Sequence, residues 1–178
     1  CGVCDGDNSC LLASVSLGAF DSSGTLEVLY DFGGASTGFQ FNVSGLALTG
    51  GSGGAAGDAG FTVSTGGETV LGFSFTGSSI PAGSGVLTVL SFSDVSGATT
   101  DLSLGFSGAI TDANGVPFSN QSAGGSIAHG DPDCSGDYYG SLVDDCAGVC
   151  GGDSALDDCG VCDGGNADQD CAGVCGGD

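Results

Sequence analysis

The sequence predicts an all-β protein, a jelly-roll β-sandwich of about nine strands flanked by irregular arms rich in cysteine and aspartate. Three observations predict it. Residues 11–129 contain no cysteine and alternate apolar with polar side chains at period two, the pattern of strands with one buried face. Clusters of Gly, Ser, Asp and Asn punctuate these runs, and no eleven-residue window carries an apolar stripe at helical spacing. All ten cysteines lie outside the stretch, at positions 1–10 and 134–175.

The strands follow in order. Leu26, Val28, Tyr30 and Phe32 share one face of GTLEVLYDF, and Phe39, Phe41 and Val43 share one face of GFQFNVSG. Leu71, Phe73 and Phe75 repeat the pattern in TVLGFSF, as do Leu102, Leu104 and Phe106 in DLSLGF. The run Val86–Phe92 is apolar on both faces, as expected of a strand buried between two layers. GGSGGAAGDAG at 50–60, GSSIPAGSG at 77–85 and DANG at 112–115 read as turns. A zone of this size can bury a core of its own. Three zones result: a Cys/Asp-rich cap at 1–10, the sandwich at 11–129, and a Cys/Asp/Gly-rich arm at 130–178.

The charge is one-sided. The 178 residues include 22 acidic groups and no Lys or Arg, giving a net charge of −22. Binding to a phosphate backbone needs cations that displace counter-ions, so a nucleic-acid partner is excluded. Anionic membrane surfaces are equally unsuited, and no stretch approaches the roughly 20 apolar residues of a membrane span. Ten cysteines in a chain this short suit an oxidising compartment, secreted or at a cell surface. The sequence opens at Cys1 inside a motif and shows no signal peptide, which reads as a mature piece of something longer.

The arm is repetitive. DCAGVCGGD stands at 145–153 and again at 170–178, a 25-residue period, with DDCGVCDGGN at 157–166 between. So few apolar side chains cannot bury a core, so covalent or metal staples must replace it. The CGVCDG at 1–6 repeats that at 159–164, and five residues like SALDD after Asp178 would restore the nine-residue gap from Cys175 to a following Cys1. This phase suggests copies of the chain arranged as a tandem array or filament.

The stretches TGFQFNVSGLALTG, TVLGFSFTGSSIPAGSGVLTVLSFSD and ITDANGVPF resemble the cohesin family over roughly residues 12–129. That resemblance implies a nine-strand jelly roll and a dockerin-like partner, although no dockerin-binding face transfers residue by residue. The flanks resemble thrombospondin type 3 calcium repeats: Asn166-Ala-Asp168-Gln-Asp170-Cys171 fits their Asp-x-Asp-x-Asp turn, and Asp131-Pro-Asp133-Cys134 and Asp5-Gly-Asp7-Asn8 fit it in part. They depart from it in their shorter, Gly-rich units with Cys-Gly-Val-Cys cores.

This second resemblance implies Ca2+ as cofactor. Calcium takes six to eight oxygens, and alternate aspartates in a tight turn aim several carboxylates at one centre. The expected ligands are Asp5, Asp7, Asp131, Asp133, Asp137, Asn166, Asp168 and Asp170, with Asp145, Asp158 and Asp163 as second choices. An acidic, solvated loop is the plainer alternative. No Lys or Arg exists to neutralise the cluster, which favours the cation.

The cysteines allow three chemistries. Cys159-x2-Cys162 with Cys171-x3-Cys175 has the spacing of a four-thiolate zinc site. A redox pair would need a nearby cation to lower its thiol pKa, and only carboxylates surround these thiols. Structural disulfides suit the repeated spacing better. Nearest-neighbour staples are expected at Cys4–Cys10, Cys134–Cys146, Cys150–Cys159 and Cys162–Cys171, leaving Cys175 of one unit to join Cys1 of the next. The competing close pairs Cys146–Cys150 and Cys159–Cys162 would strain bridge geometry.

Catalysis finds little support, and the chain is expected not to be an enzyme. The sole histidine, His129, reads as a surface linker residue, and Glu27 and Glu68 read as solvent-facing. No G-x-S-x-G elbow is present, and the glycine-rich stretch at 50–54 lacks the Lys of a phosphate loop. A carboxylate-pair hydrolase is a remote alternative. Asn42-Val43-Ser44 and Asn120-Gln121-Ser122 match the glycosylation sequon, with Asn120 the better placed. The leading expectation is a structural repeat of an extracellular filament, stalk or surface layer. The alternative is a cell-surface binding module for a dockerin-like or carbohydrate partner. An exposed apolar or aromatic patch on a monomer would mark the binding module, and self-association would mark the filament.

Overall fold

Apolar alternation becomes burial strand by strand. The computed structural model describes residues 12–176, and the chain divides into one unit ending at His129 and another beginning at Gly130. The first holds eleven strands: β1 (Leu12–Asp21), β2 (Thr25–Phe32), β3 (Ser36–Ser44), β4 (Leu46–Ser52), β5 (Thr62–Gly66), β6 (Thr69–Phe73), β7 (Gly83–Val95), β8 (Thr99–Ser103), β9 (Ala109–Asp112), β10 (Asn120–Gly124) and β11 (Ser126–Ala128). They run in the order β10-β1-β2-β7-β4-β5-β6-β3-β8-β11, with β9 paired to β3. Among the described residues only the β1–β10 pair is parallel, and β10 comes back against β8, so the sheet folds over on itself as a sandwich.

The core is the inner face of these strands. Leu26, Val28 and Phe32 from β2, Phe39, Phe41 and Val43 from β3, and Leu87 and Leu90 from β7 are all buried. Each contributes about 1.5–3 kcal/mol by leaving water. Aromatic rings add contacts: Phe20 stacks on Phe92 at 5.4 Å, and Phe39 stacks on Phe61 at 6.2 Å. Buried polar groups are paired. The Thr88 hydroxyl donates to the Ser52 carbonyl (3.2 Å), and among the described residues no buried side-chain N or O lacks a partner.

Three features differ from the sequence reading. On β6 the buried positions are Val70 and Gly72, so Leu71 and Phe73 face outward, and Phe75 lies beyond the strand at 84 % exposure. The Phe39 ring occupies the space over Gly72, where a Cβ would collide with it. This glycine sits in the core as the socket for a neighbour's ring, which inverts the face that apolarity alone suggests. Phe106 is likewise exposed, in the turn after β8. Second, eleven strands replace about nine, because β10 and β11 fall in NQSAGGSIA, which has no apolar alternation to announce them. Third, the glycine-rich stretch at 50–60 contains a single helical turn, α1 (Gly54–Asp58), that buries Ala56.

Replacing Gly72 with valine is therefore expected to destabilise the sandwich by about 1–3 kcal/mol through overpacking against Phe39. Thermal unfolding followed by near-ultraviolet circular dichroism measures it. An unchanged midpoint would show that the ring has somewhere else to go.

Candidate functional sites: an aspartate-anchored arm and an apolar groove

The arm is built from one turn used four times. Asp133 Oδ1 accepts the amides of Ser135 (2.9 Å) and Asp137 (3.1 Å), and its Oδ2 accepts that of Leu142 (3.0 Å). Asp145 accepts Ala147 (2.9 Å), Val149 (2.8 Å) and Ser154 (3.2 Å). Asp157 accepts Cys159 (2.9 Å), Val161 (2.8 Å) and Asn166 (3.0 Å). Asp170 accepts Ala172 and Val174, each at 2.8 Å. Each aspartate thus gathers the amides two and four residues on, and the first three also gather the amide nine residues on.

The backbone repeats with them. In every unit the aspartate amide donates to the carbonyl four residues later, and the amide three residues later returns to the aspartate carbonyl. That third position is Gly136, Gly148, Gly160 or Gly173, each at a positive φ that suits glycine. Gly140, Gly152 and Gly164 stand seven residues after their aspartates, where a Cβ would run into the carboxylate. The unit therefore reads D-x-x-G-x-x-x-G, recurring every twelve or thirteen residues from Asp133, Asp145, Asp157 and Asp170. The 25-residue period of the sequence spans two such units.

Disulfides link consecutive units. Cys134–Cys150, Cys146–Cys162 and Cys159–Cys175 each bridge a separation of 16 residues, with Cα atoms 5.4–5.5 Å apart. Each joins the leading cysteine of one unit to the later cysteine of the next, so successive loops overlap. This corrects the expected staples Cys134–Cys146, Cys150–Cys159 and Cys162–Cys171, and the inter-unit role given to Cys175. In the last three units a β-bridge sets the later cysteine opposite the residue before the anchoring aspartate (Asp144↔Cys150, Leu156↔Cys162, Gln169↔Cys175), while in the first three the leading cysteine bonds the unit that follows. The zinc grouping of Cys159, Cys162, Cys171 and Cys175 is dispersed in the same way. Cys171 is exposed and outside any disulfide. Cys1, Cys4 and Cys10, with Asp5 and Asp7, lie outside the described residues.

Hydrogen bonding lowers the carboxylate pKa values. The Ser135 hydroxyl, then the Leu142 amide, bring Asp133 from 3.8 to about 2. The Val149 amide leads the lowering at Asp145, and the Val161 amide leads it at Asp157. The other expected calcium ligands do not converge. Asp131 and Asp168 are exposed, Asp137 accepts the Ser135 hydroxyl (3.0 Å), and Asp163 accepts the Ala155 amide (3.2 Å). The Asn166 carbonyl accepts the Asp158 amide (2.9 Å), while its NH2 donates to the Asp158 carboxylate (3.0 Å). Among the described residues, three ligand atoms of His, Cys, Asp or Glu gather only at Cys134, Asp144 and Cys150, where the two sulfurs are bonded to each other.

A different kind of site lies on the sandwich. The outer face of β3, β6 and β9 carries an open groove of about 260 Å³, lined by Gly38, Gln40, Leu71, Phe73, Ala109 and Thr111 among others. Strand register sets Leu71 beside Gln40 and Phe73 beside Gly38, and Phe75 meets Phe73 edge-on at 4.8 Å. The Gln40 side chain donates to the Ser107 carbonyl (3.2 Å) and lies 3.0 Å from its hydroxyl, closing one wall. A second opening, lined by Tyr30, Ala55, Asp58, Ala59, Ser79 and Pro81, carries a single carboxylate and no nucleophile–base pair.

His129 departs from its expected place. It is buried, 2.7 Å from the Thr100 hydroxyl and against the Phe20 ring at 4.9 Å, and burial lowers its pKa. It is a core residue of the sandwich. No protein-family model and no curated protein matches the sequence. Among solved structures, the fold is similar to a non-cellulosomal cohesin from the hyperthermophilic archaeon Archaeoglobus fulgidus, at 15 % identity and TM-score 0.45, over 65 % of this chain and 89 % of that one. It is also similar to the sixth cohesin of Acetivibrio cellulolyticus scaffoldin B, solved in complex with a mutant Cel5 dockerin, at 18 % identity and TM-score 0.43, over 64 % and 96 %.

Two outcomes are expected. A maleimide applied without reductant should label Cys171 and spare the six bonded cysteines, and non-reduced peptide mapping should return the three 16-residue linkages. Recovery of a Cys134–Cys146 peptide would refute the ladder. Acid should loosen the arm. Because Asp133, Asp145 and Asp157 have lowered pKa values when folded, their contribution is full above about pH 4 and is lost as pH falls through the folded values, about 2 for Asp133. Amide chemical shifts of Ala147, Val149 and Ser154 should move in this window, and titration at an ordinary carboxylate pKa would contradict the anchoring.

Proposed function

We propose that this chain is a non-catalytic recognition module of an extracellular or cell-surface protein, with the sandwich as the binding element and the arm as a stapled spacer. One observation carries the reading: Leu71, Phe73 and Phe75 form an apolar, aromatic patch along a regular sheet face, beside an open groove. Clustered exposed aromatics of this kind mark partner-binding surfaces. The resemblance of the GFQF and VLGFSF strands to cohesins makes a dockerin-like module the first partner to test. Complementarity calls for a partner that brings basic residues around an apolar ridge. Three disulfides support an oxidising location.

A second reading, a structural repeat, is supported by the arm. Units that bond only their neighbours behave as a one-dimensional solenoid and extend without limit. The two readings part on self-association.

Phe73→Asp and Leu71→Asp replace outward-facing side chains, so each should shift stability by less than about 1 kcal/mol. Each is also expected to weaken capture of a dockerin panel by tenfold or more, with the unmodified chain sedimenting as a monomer. Concentration-dependent assembly abolished by the same substitutions would favour the structural repeat. Dockerin binding unaffected by both would remove this face from the reading.

A further inference from the structure

We infer that the arm holds its conformation without a resident divalent cation, its aspartates acting as anchors for backbone amides. The resemblance to calcium repeats implies an ion, and the donor set does not fit one. A calcium ion needs several oxygens turned toward a common centre with lone pairs free. Here both oxygens of Asp133, Asp145 and Asp157, and Oδ1 of Asp170, are turned toward amide hydrogens at 2.8–3.2 Å. A cation at those oxygens would lie against the positive ends of the N–H dipoles. Releasing the amides to make room would undo the turn that positions the aspartate.

The other expected ligands do not supply a second cluster: Asp131 and Asp168 are exposed, and among the described residues three ligand atoms gather only at Cys134, Asp144 and Cys150. Asn166, the first position of the best calcium-like turn, spends its carbonyl on the Asp158 amide, and Asp158 in turn accepts from Asn166 and Gln169. The glycine seven residues after each of the first three anchors leaves just the space that the carboxylate fills. A D-x-x-G-x-x-x-G spacing therefore encodes amide capture, whereas D-x-D-x-D encodes carboxylates gathered on an ion. The need to offset unpaired negative charge, which made a cation attractive, is met by peptide dipoles.

The oxidised 178-residue protein tests this by amide spectra in excess EGTA and across a CaCl2 titration. Arm amides are expected to keep their positions and exchange rates in EGTA, and calcium should produce only small, non-saturating shifts. Asp145→Asn and Asp157→Asn sharpen the test. An asparagine oxygen still accepts the amides two and four residues on, but its NH2 cannot accept the third. Ser154 or Asn166 should then exchange about tenfold faster or more, with the other two amides still protected and no change in calcium response. Saturable calcium shifts at stoichiometric ratio, or loss of arm protection in EGTA with all three disulfides intact, would overturn the inference. The wild-type titration decides alone should either variant fail to fold.

Discussion

Twenty-two carboxylates and no lysine or arginine leave this chain one abundant source of positive partial charge, its own amide N–H groups. The structure meets that constraint with one device used in both units. In the sandwich, Asp112 accepts the amides of Asn114 and Val116, its own amide donates to Val116, and Gly115 returns to its carbonyl. Asp21 does part of the same, accepting Ser23 while Gly24 bonds its carbonyl. DSSG at 21–24 and DANG at 112–115 are the D-x-x-G of the arm, so a hairpin turn in the sandwich and the repeat of the arm are one local solution. A short carboxylate mimics a backbone turn two residues on, and glycine supplies the positive φ that closes it.

What surrounds that turn differs between the units. In the sandwich it caps strands whose inner faces are buried, so apolar transfer supplies most of the stability and the aspartate only shapes a corner. In the arm, Leu142, Val143, Val149, Leu156 and Val174 stay exposed, and no apolar side chain is buried among the described residues. The disulfides take over there. Each closes a 16-residue separation, a loop that removes about 3 kcal/mol of chain freedom from the unfolded state. Because the loops overlap, no unit in the ladder can open without straining its neighbour. Carboxylate anchors set the local path and sulfur holds consecutive turns together.

This division explains what could be read from the sequence. Strands β2, β3 and β7 were legible because period-two apolarity and burial coincide in them. β6 was legible as a strand but not in its facing: Gly72 is silent in a hydrophobicity pattern, although it receives the Phe39 ring. β10 and β11 carry no apolar alternation, since they complete a sheet through backbone pairing and polar side chains such as Gln121, whose oxygen accepts the Ile110 amide. In the arm, the recurrence of DCAGVCGGD was plain, yet its 25 residues concealed two units. Asp157 is hidden in the sequence by Asp158, the cysteine-adjacent aspartate that a ligand pattern favours. The glycines three and seven residues after each anchor were the usable signal. They mark the unit start, and from it follows the linkage of leading to later cysteine that nearest-neighbour pairing missed.

The anchors consume carboxylate oxygens without removing charge, and this bears on what can dock against the sandwich. The amides that Asp133, Asp145 and Asp157 accept favour their ionised forms, so these anchors keep their negative charge near neutral pH. A second copy approaching the Leu71–Phe73–Phe75 face would carry the same net charge of −22, and the long-range repulsion would oppose whatever the aromatic contact supplies. A partner bearing lysine or arginine around an apolar ridge faces no such opposition. It gains steering during encounter and complementarity once docked. The net charge of the chain therefore favours the proposed cationic partner over another copy of the chain.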